Sequence, residues 1–218
     1  MRGVKSFSAC VHDLMDAWIK SSEGAKATDI YEAVLRPTQP NAILALIGCK
    51  AQEPSSFSVE FIRRYSVATE ILDFPLQQPF NLRNFSDQDY LHDIVMPALT
   101  EVLAQKRPLF SKGRTVFQGC RIFHERLLLP QKSATGRSEW CILFSKIDLL
   151  LPEVTGFKVD DIDLSILQLL TEGAAQKEIA LRLDLSPRTI EHRIERLKGR
   201  VGAKNLQHLV ALWISSRL

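Results

Sequence analysis

The order of apolar patterns along the chain predicts an α+β N-terminal domain, an antiparallel sheet with helices, joined to an all-α C-terminal domain of four helices. Two observations carry this. Up to about residue 150 the chain is built of short apolar runs broken by Pro, Gly and polar clusters, whereas beyond it helical periodicity dominates. The later helices also carry start and stop signals at their ends. The expected boundaries are an α+β domain over residues 1–151, a linker over 152–160 and a helical domain over 161–218.

The N-terminal elements follow in order. VHDLMDAWI (11–19) and ATDIYEAVL (27–35) read as short helices. NAILALIGC (41–49), after Pro37 and Pro40, suits a buried strand, although periodicity alone leaves a helix open. FSVEFIRRYS (57–66) alternates as a half-buried strand does. DYLHDIVMPALTEVLAQ (89–105) has helical spacing at Ile94, Ala98, Leu99 and Val102, and Pro97 inside it predicts a kink or a late start. GRTVFQGC (113–120) follows. CRIFHERLLLPQ (120–131) and EWCILFSKI (139–147) read as strands joined by the turn-rich loop KSATGRS. Pro152 and Gly156 mark the linker.

In the C-terminal domain, Asp161 to Glu172 presents Ile162, Ile166, Leu167, Leu169 and Leu170 on one face, with Gly173 placed to end the helix. Gln176 to Leu183 forms a second helix. Asp184-Leu185 then turns into Ser186-Pro187, a good N-cap followed by a residue tolerated at the first helical position, so a third helix starts there. Asn205 caps a fourth, running to about Ser215. Two short helices with a tight turn between them and a capped second start form the helix-turn-helix pattern, whose use is to dock the second helix in the major groove of DNA.

The segment LLTEGAAQKEIALRLDLSPRTIEHRIERLKGRVGAKNLQHLVAL resembles the LuxR/FixJ-type DNA-binding domain. Leu169, Leu170 and Gly173 match the end of that family's first helix. Lys177, Glu178, Ile179 and Ala180 match its scanning helix; Leu183, Leu185, Ser186, Thr189 and Ile190 match its turn; Val201, Gly202 and Ala203 match its stop. Asp163 stands where the family usually has Glu, and His192 precedes Arg193 where the family tends to place His at the second of these positions. The resemblance implies a bacterial one-component transcription regulator that binds double-stranded DNA as a homodimer on a roughly palindromic site, with RNA polymerase a candidate partner.

On a helical wheel Ile190, Ile194, Leu197 and Val201 form one stripe facing the core, with Arg188, His192, Glu195, Arg196 and Gly199 opposite. Residues 188–204 hold six basic and two acidic side chains, although the whole chain carries only +3. The first-turn groups Ser186, Arg188, Thr189, Glu191 and His192 are expected near bases, and Arg193, Arg196, Lys198 and Arg200 near phosphates. A carboxylate can accept from cytosine N4, so Glu191 and Glu195 either read bases or pair with Arg188 or Lys198 along the helix. Lys177 reads as a phosphate contact, by the resemblance, or as a solvated lysine. The resemblance also implies dimer contacts from Leu206, Leu209, Leu212 and Trp213, residues that could equally be domain core.

For the N-terminal domain the pattern is similar to a PAS-like sensor. NAILALIGC and FSVEFIRRYS would be its opening strands, the 89–105 run its long helix, and FHERLLLPQ with EWCILFSKI its closing hairpin. Such a domain binds a small molecule or a partner. A phosphoacceptor receiver fits poorly: DIVMP (93–97) imitates its motif, but the residues 40–50 positions upstream, TQPNAILALIGCK, offer no carboxylate for Mg²⁺. An acyl-homoserine-lactone domain, as in quorum-sensing regulators, is the alternative, against which stands the absence of any Asp-Pro. A further contrast is a scaffold whose helix-turn-helix no longer binds DNA. GCRIF (119–123) is similar to a flavin-linked motif of light-sensing PAS domains but lacks the Asn and follows the long helix, so Cys120 is read as a strand residue. His124, a lone strand histidine, is read as structural and not as a haem ligand.

No cofactor, no metal and no enzyme activity are expected: there is no Gly-rich phosphate loop, no G-x-S-x-G, and no Cys/His spacing of a metal site. Cys10, Cys49, Cys120 and Cys141 are expected as buried free thiols. The N-terminus lacks an apolar signal segment, and no run approaches the roughly 18 apolar residues of a membrane span, so a cytoplasmic location is expected.

Overall fold

The computed structural model describes residues 4–35, 39–65, 79–134, 136–154 and 157–217. Pro37, the last residue of the 57–66 run, Thr135 of the turn-rich loop and Gly156 of the expected linker lie outside the described residues. The chain divides into two compact units, residues 1–118 with 122–150, and residues 119–121 with 151–218.

In the first unit α1 (Phe7–Lys20) begins four residues before the expected run, because the Ser6 hydroxyl accepts from the Ala9 N–H and caps it. Its buried face is Phe7, Cys10 and Leu14, and the Trp18 indole N–H donates to the Pro130 carbonyl at 2.6 Å. The second helix, α2 (Ala27–Tyr31), is shorter than expected and closes with a 3₁₀ turn over Glu32–Val34. Strands β1 (Ala42–Gly48) and β2 (Ser58–Arg63) follow, then the two-residue β3 (Phe80–Asn81). The 89–105 run becomes the single turn α3 (Gln88–Tyr90), a π turn over Leu91–Val95 and α4 (Met96–Gln105). The helical backbone runs unbroken from Gln88, so there is no late start; Pro97 follows directly on the wide π turn, an irregularity of the kind that bends a helix.

Three long strands close the unit: β4 (Leu109–Phe117), β5 (Cys120–Pro130) and β6 (Trp140–Pro152). Gln118 and Gly119 both take positive φ, as a two-residue type I′ hairpin turn requires. The six strands form one sheet in the order β3-β2-β1-β6-β5-β4. Its centre is the antiparallel pairing of β1 with β6, from Ala42 opposite Lys146 to Gly48 opposite Trp140. NAILALIGC is therefore a strand buried on both faces, which explains its unbroken apolar character.

Alternation along the strands sends side chains to two faces. One face, with Leu44, Leu127, Leu129, Ile142 and Phe144, packs under α1 and α2. The other carries Ala45, Ile47, Val59, Leu128 and Cys141 and packs against Leu91, Ala98, Leu99 and Val102 of the α3–α4 segment. On that same face Ile43, Phe117, Ile122 and Ile147 form a smaller apolar cluster. All four cysteines are free and buried.

The second unit holds α5 (Asp161–Thr171), α6 (Gln176–Arg182), α7 (Pro187–Val201) and α8 (Leu206–Ser215), within one residue of the expected bounds at nearly every end. Ile166, Leu167, Leu170, Ile179, Ala180, Ile190, Ile194, Leu197, Leu209 and Trp213 make its core. Each fully buried aliphatic side chain there contributes about 1.5–3 kcal/mol of transfer free energy. Among the described residues no helix is long and apolar enough to cross a membrane, and no group of three or more His, Cys, Asp or Glu is placed to hold a metal ion.

Candidate nucleic-acid interface

The site is built on α6, its turn, and α7. Gly173 takes φ +86° after α5, so the Ala174 N–H reaches back to the Leu169 carbonyl at 3.0 Å and the chain reverses into α6. The Glu178 carboxylate accepts from the Ala175 N–H at 2.9 Å and ties down the start of α6. Between α6 and α7 the left-handed residue is Asp184, at φ 52°, and it lets the Leu185 N–H donate to the Ala180 carbonyl at 3.0 Å. Aspartate tolerates this conformation better than most residues. Leu183 and Leu185 on either side pack against the core.

Ser186 caps α7: its hydroxyl accepts from the Thr189 N–H at 3.1 Å and lies 2.8 Å from the Thr189 hydroxyl. Ile190, Ile194 and Leu197 are buried as the wheel requires, and Gly202 at φ +66° stops the helix. The buried stripe fixes the rotation of α7 about its axis. Arg188 and His192 are thereby exposed on the opposite side, beside the capped first turn, and Glu191 is exposed on the flank between that side and the stripe. Among the described residues none forms an ion pair or a side-chain hydrogen bond with Arg188, Glu191, His192 or Lys177 of α6. Glu195, the other carboxylate of this face, pairs with Lys198 one turn on at 2.9 Å, the intrahelical alternative read from its spacing.

Two groups of expected contact residues have partners inside the chain. Arg193 and Arg196, expected near phosphates, both pair with carboxylates. Arg193 Nη1 donates to Asp160 at 2.8 Å and to Asp163 at 2.7 Å, and Arg196 Nη2 donates to Asp163 at 2.9 Å. Arg200 Nη1 stands 3.9 Å from Asp163 and donates to the Lys158 carbonyl at 3.2 Å. Asp163 is completely buried, and a buried carboxylate without cationic partners would be costly, so three arginines of α7 converge on it. Asp160 caps α5 by accepting from the Asp163 N–H at 2.7 Å. The hydrogen bond from Arg193, that backbone N–H, and the charges of Arg193 and Arg196 hold its carboxyl below the usual range. The same carboxylates push the Arg193 guanidinium up. The network fixes the N-terminus of α5 to the middle of α7. The spacing Asp160-x-x-Asp163 against Arg193-x-x-Arg196 was visible in the sequence, but nothing local says that the two pairs meet.

The second group lies on α8. Leu209, Leu212 and Trp213 are buried within the structure, and Trp213 is further covered by the Phe157 ring edge at 5.5 Å and by the Arg217 guanidinium at 4.1 Å. Leu206 is half-buried against the core. These side chains are core, the other branch of the sequence reading, and Ile214 is the large apolar residue that α8 leaves exposed.

At the level of known proteins, no curated protein matches the chain. Among solved structures, VqmA of Vibrio cholerae is 18% identical with a TM-score of 0.28, the match covering 53% of this chain and 58% of that one. A phage VqmA, solved with DPO, is 21% identical with a TM-score of 0.27 over 61% and 66% of the two chains. SdiA of Escherichia coli is 14% identical with a TM-score of 0.28 over 97% and 98%. At such identity and overlap no ligand transfers from them to this chain. Residues 163–213 match the family model of bacterial regulatory proteins, luxR family. The span runs from the buried Asp163 to Trp213 and contains both helices and the turn described above. This segment is a LuxR-family helix-turn-helix domain.

Proposed function

We propose that the chain is a one-component transcriptional regulator, in which a PAS-like N-terminal unit senses a small molecule and the LuxR-family domain binds duplex DNA as a homodimer. The observation that carries the DNA reading is the exposed side of α7: a capped first turn, with Arg188, Glu191 and His192 unpaired among the described residues and held outward by a buried Ile190–Ile194–Leu197 stripe. Lys177 and Lys204 supply further positive charge around it. Support for the PAS-like reading comes from an opening strand pair, an intervening helix and three closing strands in one antiparallel sheet. With Leu209, Leu212 and Trp213 in the core, the side of α8 that carries the exposed Ile214 is the surface left for a second copy.

Fluorescence anisotropy of the full chain with duplex DNA, over a salt series, tests this. Affinity should fall steeply with salt, and Lys177→Gln should lower the log–log slope by about one phosphate contact. Arg193→Gln should leave that slope unchanged, since its guanidinium faces Asp160 and Asp163. No salt-dependent association at low ionic strength would favour a scaffold and overturn the regulator.

A further inference from the structure

Between the sheet and the α3–α4 segment of the first unit lies a cavity of about 130 Å³. It opens on the sheet face that carries the smaller apolar cluster, and Ile43, Ile47, Phe61, Phe85, Leu99 and Phe117 line it. Its size is close to that of an engineered cavity of ~150 Å³ that takes up one benzene molecule. The walls suit a ring: Phe85 and Phe117 have centroids 5.5 Å apart, and Tyr90 stands 5.0 Å from Phe117.

Four polar side chains reach this cavity: Tyr90, His124, Arg126 and Ser145. Alternation along β5 puts His124 and Arg126 on the same face as Ile122 and Leu128, toward the cavity. Ser145 is satisfied, donating to the Glu125 carbonyl at 3.0 Å. Arg126 is half-buried, and its Nε donates to the Ser111 hydroxyl at 2.8 Å. Its charge, however, meets no carboxylate among the described residues, and the Tyr90 hydroxyl meets no hydrogen-bond partner there either. Among the described residues no Asp or Glu lines the cavity. Burial pushes the Tyr90 phenol up, with Arg126 opposing and Asp87 adding to it, so the hydroxyl stays a donor. Burial and the Arg126 charge push the His124 imidazole down, which keeps it neutral near pH 7. The cavity thus combines an apolar body for one ring with a single uncompensated cation and a donor hydroxyl. Leaving such groups unpaired away from water is costly, and a carboxylate relieves both.

We infer that this cavity is the sensory site and that its ligand is a monocyclic aromatic carboxylate, its ring among Phe85, Tyr90 and Phe117 and its carboxylate on Arg126 and the Tyr90 hydroxyl. The inference rests on the sensor reading above and specifies its ligand class. Isothermal titration calorimetry of the full chain with benzoate, benzamide and toluene tests it. Benzoate should bind saturably at one site per chain, and the two neutral analogues at least about tenfold more weakly, the worth of one charge-assisted contact. Arg126→Gln should remove that preference for benzoate over benzamide. The comparison of the three probes on the unmodified chain stands even if the variant does not fold. Equal affinities for benzoate and benzamide, or no saturable binding of any probe, overturn the assignment. The same preparation is assayed for salt-dependent DNA association: DNA binding without benzoate binding overturns the ligand and leaves the regulator, and benzoate binding without DNA binding does the reverse.

Discussion

Asp163→Asn isolates the network that ties α5 to α7. The carboxylate is fully buried and accepts from Arg193 at 2.7 Å and from Arg196 at 2.9 Å. Asparagine keeps the shape but turns two contacts between opposite charges into contacts between a cation and a neutral acceptor, a loss of roughly 1 kcal/mol each. Its amide also points an N–H at guanidinium donors, which adds roughly another 1 kcal/mol. Against this, Arg193 keeps Asp160, and the Arg196 side chain is 38% exposed, so water takes over part of its pairing. The expected net cost is about 2 kcal/mol, well short of the 3–5 kcal/mol of a fully buried pair that loses one member. Amide hydrogen exchange of the full chain reads it locally. Protection at Ile194 and Leu197, in the buried stripe of α7, should drop about 30-fold. A drop of less than about threefold would show that the arginines do not depend on this carboxylate and would return them to the phosphate role.

Ser186→Ala removes the cap of α7 and should cost about 1 kcal/mol, seen as faster exchange at the Thr189 amide with little change at Leu197. Unchanged exchange at Thr189 would place the cap elsewhere. The Asp160 carboxyl is held below its unfolded value by Arg193 and by the Asp163 N–H. Its contribution is therefore fully present above a pH of about 4 and is lost as pH falls through the lower, folded value. In urea titrations of the full chain the gap between wild type and Asp160→Asn should be constant from neutrality to about pH 5 and close on further acidification. A gap that persists in acid would assign the effect to something other than charge.

The helical unit was legible in the sequence because its determinants are local. Ser186-Pro187, Gly173, Gly202 and Asn205 act on backbone groups within a turn of themselves, and the 3.6-residue period of Ile190, Ile194 and Leu197 needs no distant partner to be read. The sheet was legible as strands, since alternation and unbroken apolar runs are also local, though not as an order. Other features depended on residues far apart in the chain. Whether Arg193 faces phosphate or carboxylate is decided 30 residues upstream at Asp163, and the wheel reports only that it is off the core stripe. Leu209, Leu212 and Trp213 have the same apolar character whether they pack inward or pair with a second copy, and only the packing of α8 separates the two. The cavity was likewise invisible: Tyr90, Arg126 and Phe117 come from α3, β5 and β4, and no spacing along the chain states that a helix will leave room for a ring between them and the sheet. Sequence alone determined the elements and one family, because backbone satisfaction and periodic burial are local demands. Tertiary structure decided which charges meet a partner inside the protein and which, among the described residues, do not.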